Sequence, residues 1–354
     1  MIQIITSTAL LLAVLALFSL FCYKAPYGMK AMGALASAAC ASFLVQAFHG
    51  ALFGEQVHIA FLGSVGSATG SLSGVAAAIL VPLALGVSPV YAVLVGLSVS
   101  GFGILPGFVA GYLTGFVAGY LTAFVVKFLE KKAPAGLDLI IIILIAAPLS
   151  RGIATFMDPL VKSTLMQIGQ ALTSPIFMAI ILGGLITVVG NTPLSSMALT
   201  SVIGLTGLPM AIGALAVFGS SFTNFVFFSK MKFGDKKDTI SVAIEPLTQS
   251  DVISANPIPI FTTNFIGGAL SGIVVALVSM YVAPLAISVP GMATPIAGFA
   301  VAVGQNGTPA LIAAGGCIVA SVFSGLLGHR IFSNHKIVTV AEIRGDKNNE
   351  CAAA

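Results

Sequence analysis

Long stretches of this chain contain no charged side chain: 2–22, 31–53, 207–229, 264–287 and 310–328. About twenty residues of helix rise roughly 30 Å, the thickness of a bilayer's hydrocarbon core. Strands of a membrane barrel would instead alternate apolar and polar residues, and these runs do not. With 58% of residues hydrophobic and 7% charged, against about a quarter charged in soluble domains, the reading is an all-α polytopic membrane protein. The runs and the fragments between them predict about ten transmembrane helices.

Net charge is +4, and the cations gather at a few short stretches rather than along a face that could follow a phosphate backbone. They read as topology signals, and nucleic acid is excluded as a partner. Lys24 and Lys30 place the loop after the first span in the cytoplasm. Lys127, Lys131 and Lys132, beside Glu130, mark a second cytoplasmic edge, and Lys230, Lys232, Lys236 and Lys237 mark a third. Residues 2–22 lack a basic leader and a cleavage site, so they are expected to stay as a first span. Cys22, Cys40, Cys317 and Cys351 show no paired spacing and read as small buried hydrophobes.

The sequence GFVAGYLT at 107–114 recurs unchanged at 115–122. Eight residues advance slightly more than two helical turns, so Gly107, Gly111, Gly115 and Gly119 form one stripe, which predicts a close-packed seam. Before it, 58–74 is either an extracytoplasmic turn or a broken helix, followed by spans at 75–87 and 89–105. After it, Pro134-Ala135-Gly136 is expected to divide a half at 1–133 from a half at 134–330, with a tail at 331–354. The apolar run 137–150 leads into Arg151, Asp158 and Lys162, an expected interfacial segment. Counting crossings then fails by one, so 191–206 is expected to be re-entrant or to add a short span.

Three breaks in the second half share a pattern: Asn191-Thr192-Pro193, Asn256-Pro257-Ile258-Pro259, and Asn306-Gly307-Thr308-Pro309. Proline removes an N–H and frees a carbonyl, while Asn, Gln and Thr can satisfy exposed backbone or meet a ligand's hydroxyls. Non-helical backbone at membrane depth survives where it lines a cavity, the layout of secondary transporters. The expected substrate-binding set is Glu245, Asn256, Asn191, Thr192, Asn306, Thr308, Gln305 and Gln249. From spacing alone, Glu245 reads either as a cavity carboxylate or as a cytoplasmic loop charge. Asp251 reads as a helix cap or loop acid, and Thr248, Thr262, Thr263 and Asn264 as polar wall or interface. His49, His58, His329 and His335 have no metal-ligand spacing and no nucleophile–base pair is legible, so no metal, cofactor or enzymatic activity is expected.

These residues carry a resemblance. Glu245-Pro246, the bend at 256–259 and Gly267-Gly268-Ala269 with Gly272 resemble the IIC membrane component of phosphotransferase-system sugar permeases. The segment GFVAGYLTGFVAGYLTAFVVKFLEKKAP is similar to fructose-type IIC proteins. The whole chain is most similar to the stand-alone PfoS/R-type (perfringolysin regulator-like) group. The resemblance implies re-entrant hairpins and an elevator architecture: 1–133 as scaffold and dimerisation half, 134–330 as transport half, 331–354 as cytoplasmic tail. It implies a homodimer in the bacterial inner (plasma) membrane, in contact with lipid, with Glu245 gripping a sugar-like solute. This sequence has room for neither the IIB cysteine nor the IIA histidine, so separate IIA/IIB-type subunits, an unmodified solute or a sensing role remain open. The expected function is alternating-access transport of a small polar solute; the alternative is a membrane-bound sensor that binds without transporting.

Overall fold

The computed structural model describes residues 24–102, 108–134, 137–170, 177–202 and 205–345, with scattered positions before residue 24. Most of the expected first span at 2–22, together with Gly107 and Cys351, lies outside the described residues. Among these residues the secondary structure is helical, apart from one extended pairing between Gly207 and Ile287. Six helical stretches are long and apolar enough to cross a membrane: Gly28–Gln56, Gly111–Lys132, Asp138–Thr164, Gly207–Met231, Pro257–Tyr281 and Thr308–Phe332. Ala60–Ser71 and Ser73–Ala84, bent by 51° at their junction, add a seventh if they form one broken span. The protein is thus an all-α polytopic membrane protein, with six or seven such spans among the described residues where about ten were expected.

The chain packs as two units, one holding Lys24–Ala171 and the other Leu172–Thr200 with Leu205–Ala354, so that all but the last two residues of the short helix Ser196–Val202 belong to the second. The expected division at 134–136 falls inside the first unit, because the following helix packs back onto the one before it.

The first unit contains α1 (Gly28–Ala39), α2 (Ala60–Ser71), α3 (Ser73–Ala84), α4 (Pro89–Ser98), α5 (Phe108–Lys132) and α6 (Asp138–Gln170). π-helical turns, Cys40–Leu44 and Gln46–Gln56, carry α1 onward. The octapeptide repeat lies in α5, and its glycine stripe is the predicted seam. Gly111 and Gly115 meet Gly74 of α3, and Gly119 meets Ala78, so closely that a Cβ on Gly115 would overlap the Gly74 carbonyl. The repeat's equivalent tyrosines both anchor α5 to the chain near α1: Tyr112 donates to the Leu35 carbonyl at 2.6 Å and Tyr120 to the Pro26 carbonyl at 2.8 Å. Gly115→Ala is therefore expected to destabilise by about 1–3 kcal/mol through overpacking against backbone. Gly152→Ala, at a position with nothing within 4 Å of the added carbon, should not. Thermal unfolding of the two purified variants compares them.

At one end of this unit Lys127 donates to the Leu85 carbonyl at 2.7 Å, and Glu130 accepts from the Ser88 N–H at 3.2 Å, so the charged edge closes the α3–α4 turn. The expected interfacial segment at 151–162 is instead a continuation of α6, with Pro148 and Pro159 inside the helix. A membrane helix absorbs a proline because unpaired loop backbone in hydrocarbon costs more than one lost hydrogen bond. Along α6, Asp158 and Lys162 pair at 2.6 Å one turn apart, and Arg151 reaches the Ser100 carbonyl at 2.5 Å.

The second unit contains α7 (Phe177–Gly190), α8 (Ser196–Val202), α9 (Gly207–Met231), α10 (Lys236–Ile244), α11 (Ser250–Ala255), α12 (Pro257–Tyr281), α13 (Pro295–Asn306) and α14 (Thr308–Phe332). Helix α9 is its hub, packing on α7, α12, α13 and α14. Gly183 of α7 and Gly268 of α12 are in such close approach that a Cβ on either would strike the other's carbonyl, and Gly272 approaches the Ala179 carbonyl in the same way. The expected span at 264–287 begins earlier, at Pro257, and ends at Tyr281. Prolines at the first turn of a helix displace no intrahelical bond, so the 256–259 bend is the start of the span rather than a break before it.

Candidate functional site

The hairpin between α9 and α12 is built from short, capped pieces. Met231 ends α9, and Lys232 takes the left-handed conformation at its C-cap, φ 61°. Asp235 then opens α10 with a reciprocal cap: its carboxylate accepts the Asp238 N–H at 2.9 Å, and Asp238 accepts the Asp235 N–H at 3.1 Å. Helix α10 stops where Glu245 becomes extended, φ −148° and ψ 104°, and Pro246 starts a 3-10 turn, Pro246–Gln249. Glu245 caps that turn: its Oε1 accepts the Leu247 N–H at 3.3 Å, and its carbonyl accepts the Thr248 hydroxyl at 2.7 Å.

Glu245 is 8% exposed. Burial pushes its carboxyl from 4.5 up to about 7, opposed in part by the Leu247 N–H. Near neutral pH the group therefore holds a proton far more readily than an ordinary, fully ionised glutamate.

Around this hairpin Phe227 and Phe228 of α9, Phe233, Val242 of α10, Val252 and Ile253 of α11, and Ile260 of α12 form one buried apolar cluster. One turn deeper along the two long helices the character changes. Asn224, four residues before Phe228, and Asn264, four after Ile260, are both 0% exposed. Asn264 Nδ2 donates to Asn224 Oδ1 at 2.8 Å, Asn224 Nδ2 donates to Asn191 Oδ1 at 2.9 Å, and Asn191 Nδ2 donates to the Thr187 carbonyl at 2.7 Å. Thr187 Oγ1 returns to the Asn264 carbonyl at 2.9 Å. A row of three amides thus crosses the unit's interior from α12 through α9 to the end of α7. Its Asn264 Oδ1 is buried without a hydrogen-bond partner, as is the Ser221 hydroxyl of α9. An unfilled amide carbonyl in an apolar bundle is a ready acceptor for a hydroxyl.

The expected site residues fall into three groups. Asn191 belongs to the amide row, and Thr192 beside it donates to the Val189 carbonyl at 2.8 Å. Glu245, Gln249 and Asn256 belong to the hairpin, where Gln249 reaches Asp238 at 3.4 Å and Asn256 donates to the Val252 carbonyl at 2.9 Å. Gln305 and Asn306 staple the loop after α12: Gln305 Oε1 accepts the Ser288 N–H, and Asn306 Oδ1 the Ala286 N–H, both at 2.9 Å. That loop follows the opposite end of α12 from Asn256. Twenty-five residues at 1.5 Å each put those ends about 37 Å apart. The structure therefore does not bring Gln305, Asn306 and the exposed Thr308 together with the hairpin. Asn224 carries the middle of the amide row and was not anticipated, although a lone amide inside a charge-free run is a signal for a polar interior.

Membrane-length helices, two of them lined by a buried polar row and joined by the Glu245 hairpin, define a polytopic membrane protein. The family model described as "Phosphotransferase system, EIIC" matches residues 29–344, and the chain belongs to that family. It is accordingly an integral plasma-membrane component of a phosphotransferase-type transporter, a kind of domain that commonly works with IIA and IIB components and binds a sugar. No curated protein and no solved structure matches the chain.

Proposed function

We propose that the chain carries a small polyhydroxylated, sugar-like solute across the plasma membrane by alternating access, within the stand-alone PfoS/R-type branch of its family and with similarity to fructose-type IIC proteins. In this reading the chain works as a homodimer. Glu245 grips adjacent hydroxyls, and the interior row of Asn191, Asn224 and Asn264 takes the solute's remaining hydroxyls. The supporting observation is the pairing, within one packed unit, of a buried carboxylate capping a hairpin turn with a row of buried amides ending in an unpartnered carbonyl. Both groups accept hydrogen bonds from hydroxyls, and the carboxylate can also shed its charge when desolvated.

The test is uptake and counterflow of radiolabelled hexoses and hexitols by the protein in proteoliposomes, with and without soluble phosphocarrier proteins and phosphoenolpyruvate. Saturable counterflow of one of them is the expected result. Tight binding of a member of that panel with no counterflow would replace transport by sensing.

A further inference from the structure

Beyond α14 the chain turns back over the Glu245 hairpin. Residues 340–345 form a short helix that opens on Thr339, whose N–H and hydroxyl donate to Glu342 Oε2 at 2.6 and 2.9 Å. This segment is fastened at three places. The Val340 N–H donates to the Phe233 carbonyl at 2.8 Å, just ahead of α10. The Asn256 side chain pairs with the Val338 peptide in both directions, each bond 2.8 Å. Arg344 then reaches across the hairpin: Nε and Nη2 to the two oxygens of Asp251 at 3.2 and 3.1 Å, Nη1 to Asp238 at 3.3 Å, and Nη2 to Gln249 at 2.8 Å. Ile337, Val340 and Ile343 rest on the same apolar cluster that lies beneath the hairpin.

Isolated surface ion pairs contribute little, but a forked guanidinium engaging several fixed acceptors at once is the exception. Asp238 lies on α10, Gln249 in the 3-10 turn and Asp251 on α11, so one side chain ties together the pieces that flank Glu245 on both sides. A lysine offers a point charge without the fork and cannot meet all three acceptors in these directions.

We propose that Arg344 is a positioning residue for Glu245, fixing the angle and burial of its carboxylate by clamping α10, the 3-10 turn and α11 through the returning C-terminal strap. The role for Glu245 rests on the function proposed above; the clamp itself does not. The groups it works among are Asp238 from α10, Asp251 from α11 and Arg344 from the strap.

The experiment uses the full-length protein in lipid nanodiscs and no solute, comparing wild type, Arg344→Ala and Arg344→Lys. Hydrogen–deuterium exchange across 236–256 should accelerate roughly tenfold or more in Arg344→Ala, the loss expected for charged hydrogen bonds. Arg344→Lys should accelerate it less, and the exchange of Gly207–Met231 and Thr308–Phe332 should stay as in wild type. The fall in thermal stability between about pH 4.5 and 7 that Glu245→Gln removes should shrink in the arginine variants, as the loosened turn admits water. Wild-type exchange across 236–256, or acceleration spread evenly through the spans, overturns the proposal. If Arg344→Ala does not fold, Arg344→Lys carries the test alone, and wild-type behaviour in it overturns the proposal. Failure of sugar uptake leaves these readouts unchanged, so the two readings fail separately.

Discussion

Glu245→Gln should flatten the pH dependence of stability between about pH 4.5 and 7 and weaken solute handling roughly tenfold to a hundredfold. The folded-state value, raised to about 7 from 4.5, means the folded protein holds this proton more tightly than the unfolded chain. Stability from this group is fully present below about pH 4.5 and is lost as pH rises through 7. A shift of that size corresponds to something on the order of 3 kcal/mol between the two limits. Glutamine keeps the shape and an acceptor oxygen for the Leu247 N–H but cannot ionise, so the variant should unfold at nearly the same temperature at pH 5 and pH 8. Hydrogen bonds to a charged group contribute roughly 1.5–3 kcal/mol, and their loss sets the expected drop in uptake or binding. Thermal shift across pH measures the first effect and proteoliposome uptake the second. A variant that keeps the wild-type pH slope would place the titrating group elsewhere.

Asn224→Ala should be the most destabilising change in the interior. Its side chain both accepts from Asn264 and donates to Asn191, so truncation leaves a buried donor and a buried acceptor unmatched. Each orphan costs about 1–3 kcal/mol. Asn264→Ala alone removes one end of the row together with its unpartnered carbonyl and should cost less. The double variant should be less destabilising than the two single losses added, because both remove the same bond. Additive losses in denaturation of the purified proteins would show that the amides act independently.

Much of the architecture was legible because hydrocarbon leaves few options: a charge-free run of membrane length has to be a helix. The glycine stripe of the repeat was equally plain, since a four-residue spacing of glycines forms a seam on any helix. What misled was proline. Asn256-Pro257-Ile258-Pro259 and Asn306-Gly307-Thr308-Pro309 read alike, yet the first is the ordinary beginning of α12 and the second contains a loop staple at its far end. Pro148 and Pro159 likewise lie inside a span rather than at its edge. Asn224 escaped notice because one amide hardly lowers the hydropathy of 25 residues. Arg344 escaped for a different reason: its acceptors are 93 to 106 residues away in sequence, and no local pattern encodes such a pairing.

That separation bears on how the protein is made. Asn256 meets the Val338 peptide 82 residues later in the chain, and synthesis proceeds at about 5–20 residues per second. The hairpin therefore emerges about 4–16 s before its strap exists. Through that interval Asp238 and Asp251 lack their guanidinium and the apolar cluster lacks its cover. Folding of the Glu245 turn is consequently completed among the last events of biogenesis, after the spans on either side of it have been inserted.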